Sequence, residues 1–188
     1  EVGQLLNDFD GHGGNFQTIK AFQLMWLTLS RPNESVQAEW AEFDLEKALW
    51  TIPARRMKAR REHIVPLPTQ AVELLKAMHP ITGHTKFVFP NRDDRERPMA
   101  DAALRQALKK LGWATKYSPH GTRTTGSTRL NEMGYRPDAI EAQLAHAEPN
   151  SVRRTYNHAT YLDERRVMMQ DWADKLDGWK THARKDAN

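Results

Sequence analysis

"SPHGTRTTGSTRLNEMG", residues 118–134, opens on Pro119, closes on Gly134 and has a middle poor in helix formers. Thr122, Thr124, Thr125 and Thr128 flank Gly126, so a helix here must be held by its neighbours rather than by propensity. Helical spacing puts His120 and Arg123 on one face. Arginine is a permanently charged planar fork that grips phosphate oxygens in pairs. A histidine beside it can donate to a phosphate or move a proton. Taken alone, the pair reads more readily as a surface arginine beside a structural histidine.

Downstream, "RPDAIEAQLAH" (136–146) reads as a helix with Pro137 near its start and His146 at its end. "NSVRRTYNHA" follows as a short helix capped by Asn150. It carries Arg153, Arg154 and, ten residues after His146, Tyr156. "YLDERRVMMQDWADKLDGW" reads as a last amphipathic helix ending at Gly178, with a frayed polar tail over 181–188.

Upstream, "NFQTIKAFQLMWLTLS" (15–30) has the apolar spacing of a largely buried helix. "SRPNE" breaks it, with Ser30 as candidate cap and Pro32 in the first turn of a short helix running through Trp40. "AEFDLEKALWTIP" and "EHIVPLP" carry short β-type runs. Between them "ARRMKARR" (54–61) reads as an exposed hairpin tip with Arg55, Arg56, Lys58, Arg60 and Arg61. "TQAVELLKAMHP" is a helix capped by Thr69 and ended by Pro80, and "ADAALRQALKKLGW" one closed by Gly112.

Composition bounds the function. The 188 residues are 39% hydrophobic and 28% charged, which suits one globular domain with a proper core. The absence of cysteine excludes disulfides and thiolate metal sites. No apolar run nears the roughly 20 residues of a membrane span, and no leader peptide is visible. The first residue is Glu1, as in a fragment of a longer protein. The net charge of +4 is modest, but its clustering in 54–61 points to phosphate backbones. Lys58 is placed to protonate a leaving alkoxide, which arginine does poorly. Tyrosine, with a normal pKa of roughly 10, attacks phosphorus only with cations around it.

Arg31, Lys58, the His120-Gly121-Thr122-Arg123 box, His146 and Tyr156 occur in the order found in the tyrosine recombinases. With the flanking phrases "LTLSRPNE", "WAEFDL", "MKARREHIVPLP" and "FVFPNRDDRERPM", nearly the whole chain resembles the catalytic domain of a phage or prophage integrase. The resemblance implies an α+β, mostly helical fold with a small antiparallel sheet. It places the catalytic domain over 1–180 and a flexible tail over 181–188, without the N-terminal core-binding and arm-binding domains of such enzymes. It implies that Arg31 and Arg123 clamp the scissile phosphate, His120 helps take the tyrosine proton, and Lys58 protonates the departing 5′ oxygen. His146 would contact a non-bridging oxygen, and Tyr156 would form a 3′-phosphotyrosyl link. Glu34 would support the site, and Arg55, Arg56, Arg60, Arg61, Arg153 and Arg154 would bind DNA. Neither metal, cofactor nor ATP is implied. The implied partners are double-stranded attachment sites, three further copies in a tetramer, and accessory DNA-bending or excision factors, in the bacterial nucleoid rather than at a membrane. As an isolated fragment the chain would be a monomer.

Relatives commonly place a bulky apolar residue at position 122 and His or Arg at 124. The threonines here imply looser packing of that helix. Met168, Met169, Trp172 and Leu176 would form the adhesive face of the last helix, docked on its own domain or on a neighbour. Tyr117, Tyr135 and Tyr161 read as packing residues, and His12, His63, His79, His84 and His158 form no ligand-like group. The rival readings are a strand-relaxing type IB topoisomerase, a decayed DNA-binding prophage remnant, and a basic helical protein that binds only proteins.

Overall fold

The computed structural model describes residues 1–146 and 161–186. At its centre lies α2 (Phe16–Thr28), whose cap is Asn15, its side chain accepting from the Gln17 amide at 2.8 Å. From Ala21 onward nearly every α2 residue is buried, because elements cover it on several sides: α1 (Val2–Asp10), α4 (Thr69–Thr82), α5 (Ala103–Lys110) and α8 (Leu162–Asp186). The aromatic residues form its spine. Phe9 stacks on Phe22, Trp26 stacks on Trp172, and the Trp172 indole donates to the Trp26 carbonyl at 2.7 Å.

Beside the helices, β1 (Phe43–Asp44), β2 (Leu49–Ile52) and β3 (His63–Pro66) make an antiparallel sheet in chain order. Trp50 pairs with Phe43 on one side and Val65 on the other, while Ile52 pairs with His63. Trp50, Ile52 and Val65 are buried and Ile64 faces out, the alternation that a half-covered sheet requires. The expected helical fold with a small sheet is therefore found.

Several boundaries differ from expectation, each for a local reason. Arg31, not Ser30, caps α3 (Pro32–Val36), which stops short of Trp40; residues Trp40–Glu42 form a separate 3-10 turn. Pro68, not Thr69, precedes α4, and Pro80 lies inside that helix, which runs on to Thr82. A proline in the final turn costs few bonds, and Thr82 anchors that end by donating to the Val88 carbonyl. The helix expected to reach His146 ends at Gln143 (α7, Pro137–Gln143).

Residues Val2–Asp10, unassigned from sequence, form α1, and this bears on the largest difference. The last helix passes straight through Gly178, and residues 181–186, expected as a flexible tail, are helical. Helix α1 packs beside the part just after Gly178, against Trp179, Lys180 and Ala183, while Thr181, His182 and 184–186 stay exposed. A Cβ on Gly3 would sit 2.1 Å from the Trp179 carbonyl oxygen, so only glycine permits this approach. Asn7 donates to the Lys180 carbonyl at 2.8 Å, and Lys180 pairs with Asp10 at 2.5 Å. Met168, Met169 and Trp172 are fully buried against the chain's own core, and Leu176 nearly so. Their adhesive face is thus satisfied within one molecule.

Candidate functional site

The site forms where the C-terminal ends of α2 and α7 meet α6 (Gly121–Glu132). Helix ends leave unpaired carbonyls and a partial negative charge. Arg123, half-buried on α6, answers both. One guanidinium nitrogen donates to the Leu29 carbonyl at 2.8 Å, the other to the Leu144 carbonyl at 2.5 Å. Leu29 lies two residues before Arg31, and Leu144 two before His146. Arg123 therefore draws Arg31 and His146 into one place although they lie 115 positions apart in the sequence. Burial, then repulsion from Arg31, pushes the Arg123 pKa down to about 10, which leaves it charged at neutral pH.

Arg31 is held from one side by Glu34. One carboxylate oxygen takes the Arg31 amide at 2.7 Å, closing the helix cap, and the other takes its guanidinium at 2.7 Å. Glu34 is 5% exposed, whereas Arg31 keeps 23% of its side chain open for an anion. Ser30, unused as a cap, joins Thr28 (2.9 Å) and Ser35 (2.5 Å) in a buried hydroxyl chain across the α2–α3 junction.

His120 is the exposed residue before α6, and Arg123 bonds back to its carbonyl at 3.2 Å. The looser packing expected from the box threonines is not found at Thr122, and Thr124 is exposed. Thr122 is fully buried and bonded to the Tyr117 hydroxyl, while a Cβ on Gly126 would lie 2.5 Å from Leu29. Position 122 is filled by a small residue plus a tyrosine rather than by one bulky side chain. His146 is exposed, its Nδ1 2.6 Å from Glu141. Lys58 is exposed on the loop between β2 and β3.

Of the four non-glycine residues with positive φ among the described residues, Ala48 lies in the turn between β1 and β2, and the other three, Leu29, Arg60 and Ala145, each lie within two residues of Arg31, Lys58 or His146, with φ near +50°. Such strain persists only where surroundings enforce it, and it concentrates at functional sites.

The basic stretch divides. Arg60 and Arg61 are exposed, and Arg55 is 61% exposed while touching Glu39. Arg56 departs from the exposed-tip reading: it turns inward, 9% exposed, onto Glu42. Tyr156, Arg153 and Arg154 lie outside the described residues, as does the short helix expected there. Tyr161 is 9% exposed under the Arg136 guanidinium, as a packing residue should be.

The structure also brings in residues that carried no role in the sequence. Gln143, 1% exposed, accepts two bonds from Arg165 and donates to the Thr28 carbonyl. Arg165, 5% exposed, also donates to the Ile64 carbonyl. His63 lies 3.1 Å from the Gln143 carbonyl, and burial together with Arg165, then Arg123 and Arg31, pushes its pKa down to about 3. A neutral imidazole facing a carbonyl must donate, so Nε2 carries the proton. The available signal was polar residues on apolar stripes: Arg165 shares a helical face with Met168, Met169 and Trp172, and Gln143 with Ala139 and Ile140.

The sequence model described as the Phage integrase family matches residues 1–162. Prophage integrase IntA of Escherichia coli (strain K12) is 47% identical over 174 residues, 93% of this chain and 42% of its own length. Prophage integrase IntZ of the same strain is 47% identical, over 87% and 40%. The integrase of Enterobacteria phage P4 is 42% identical, over 87% and 41%. The chain thus spans about two-fifths of these relatives. Among solved structures, the integrase from mycobacterium phage Brujita superposes with a TM-score of 0.68 at 19% identity, covering 93% of this chain and 56% of that one. The XerH site-specific recombinase bound to its difH substrate gives 0.63 at 20%, covering 87% and 51%. These two share the fold.

Proposed function

We propose, from the premise that the chain belongs to the phage integrase family, that it cuts and rejoins double-stranded DNA at attachment sites through a covalent tyrosine intermediate. The observation that carries this reading is the Arg123 bridge, which gathers Arg31, His120 and His146 at one strained junction.

In this reading Arg31 and Arg123 hold the non-bridging oxygens of the scissile phosphate, where charge grows in the transition state. Two of the five N–H groups of Arg123 are spent on carbonyls, which leaves three for the phosphate. The phenol oxygen of Tyr156 attacks phosphorus, and its proton passes to His120. The bond from phosphorus to the 5′ oxygen breaks, and Lys58 supplies the proton that oxygen needs. The products are a 3′-phosphotyrosyl link and a free 5′-hydroxyl. Running the same steps backward reseals a strand without ATP. The arginines supply the positive charge, so no metal is called for. Exposed Arg60, Arg61 and Arg55 track the backbone, with Arg153 and Arg154 beside the nucleophile. Four copies on paired sites exchange strands to integrate or excise a prophage or genomic island.

The test is covalent trapping. A nicked duplex carrying a site selected by its binding to the protein is incubated with it, and the cut fragment diffuses away. The expected product is a denaturant-stable adduct on Tyr156 that is absent from Tyr156→Phe. An adduct on Tyr161 would reassign the nucleophile, and binding without any adduct would make the protein a DNA-binding remnant. Relaxation of supercoiled plasmid without exchange between two sites would favour the topoisomerase reading.

A further inference from the structure

Of the basic residues in 54–61, one does something different from the rest. Arg55, Lys58, Arg60 and Arg61 face solvent, as residues that meet a phosphate backbone must. The Arg56 side chain is 9% exposed. One of its nitrogens donates to Glu42 at 2.5 Å, and another to the Glu34 carbonyl at 2.7 Å. Glu42 is itself gripped by the sheet: the same carboxylate oxygen accepts from the Trp50 indole at 2.9 Å and from the Glu39 amide at 3.3 Å. Glu34 is the residue whose carboxylate holds Arg31 by both backbone and side chain. The next residue along the loop, Met57, is 3% exposed and packs into the core. Lys58 follows it and is exposed.

We infer that Arg56 is a positioning residue, which ties the root of the Lys58 loop to the Arg31–Glu34 clamp and so sets where Lys58 delivers its proton. The covalent path from Arg56 to Lys58 is two residues, with the intervening one pinned in the core. The non-covalent path from Arg56 to Arg31 runs through Glu34 alone. The two ends of the reacting bond, the clamped phosphate and the departing 5′ oxygen, are thereby referred to one fixed point. A buried ion pair is a poor device for stability, since apolar residues of like volume often do as well. It is a good device for direction, because the flat guanidinium reaches a carboxylate and a carbonyl at fixed angles, and lysine cannot. Misplacing a catalytic group by about 1 Å can cost on the order of a hundredfold in rate.

This inference rests on Lys58 being the general acid, and the test separates the two. The full-length protein is assayed in single turnover on ordinary DNA and on DNA with sulfur in place of the scissile 5′ oxygen. A thiolate leaves without a proton, so sulfur removes the need for an acid. Removing Arg56 alone would strand Glu42, whose second oxygen is already buried without a partner. The variant used is therefore Arg56→Met with Glu42→Gln, alongside Arg56→Lys and Lys58→Met. The double variant, folded by circular dichroism, is expected to cut ordinary DNA about ten- to a hundredfold more slowly, Arg56→Lys by an intermediate factor, and both to recover to within a few-fold of wild type on sulfur. A folded double variant that is equally slow on both substrates, or unimpaired on ordinary DNA, overturns the inference while Lys58→Met is still rescued. If Lys58→Met itself gains nothing from sulfur, the acid assignment fails first and the inference falls with it. If the double variant does not fold, Arg56→Lys alone decides: a deficit rescued by sulfur supports positioning, and any other result overturns it.

Discussion

Replacing Gln143 by leucine should destabilise the domain far more than its single neutral side chain suggests. Gln143 is 1% exposed and accepts from Arg165 twice, at 3.0 and 2.8 Å, while giving its own proton to the Thr28 carbonyl at 2.8 Å. Arg165 has no carboxylate partner among the described residues and keeps only the Ile64 carbonyl, at 2.7 Å. Bonds to a charged donor are worth about 1.5 kcal/mol or more each, and a neutral one about 1 kcal/mol. Leucine returns about 1 kcal/mol through added apolar burial, so the net loss is about 3 kcal/mol. In a domain of this size that lowers Tm by roughly 6–12 °C. Urea denaturation followed by tryptophan fluorescence and circular dichroism measures it. The double variant Gln143→Leu with Arg165→Met removes the stranded charge together with its partner. It should be more stable than the sum of the single changes implies, by about 2 kcal/mol. A loss under about 1 kcal/mol for Gln143→Leu, or simple additivity, would mean that water reaches Arg165 and that the network does not brace the site.

Two further outcomes follow from the same junction. His63 titrates near 3 when folded and near 6.5 when not, so its contribution is intact above pH 6.5. As pH falls through that window the unfolded chain gains a proton that the folded one refuses, and stability drops. The loss is about 1–2 kcal/mol by pH 5, allowing for partial exposure, and His63→Gln should flatten this part of the stability–pH profile. Gly126→Ala sets helix propensity against packing. Alanine gains about 1 kcal/mol in a helix interior. Its Cβ meets Leu29 at 2.5 Å, and Leu29 is fully buried, so overpacking costing about 1–3 kcal/mol should win and lower the urea midpoint. A stabilised variant would show that α6 can move away from α2 freely.

Much of this molecule could be read from single segments. The buried helix over 15–30, the strands on either side of the basic stretch and the amphipathic last helix all follow from spacing that repeats within about twenty residues. The order of Arg31, Lys58, His120, Arg123, His146 and Tyr156 marked the family before any geometry was known. What the residues could not disclose were relations between distant segments. Nothing in "EVGQLLNDFD" announces that it will pack on the last helix around Trp179, because that depends on Gly3 meeting the Trp179 backbone. Nothing in "ARRMKARR" separates Arg56 from its neighbours, because its partners Glu34 and Glu42 lie 22 and 14 positions away. Periodicity reports which face of an element avoids water. It is silent on which buried polar group answers which, and desolvation makes that pairing obligatory only once the chain has folded.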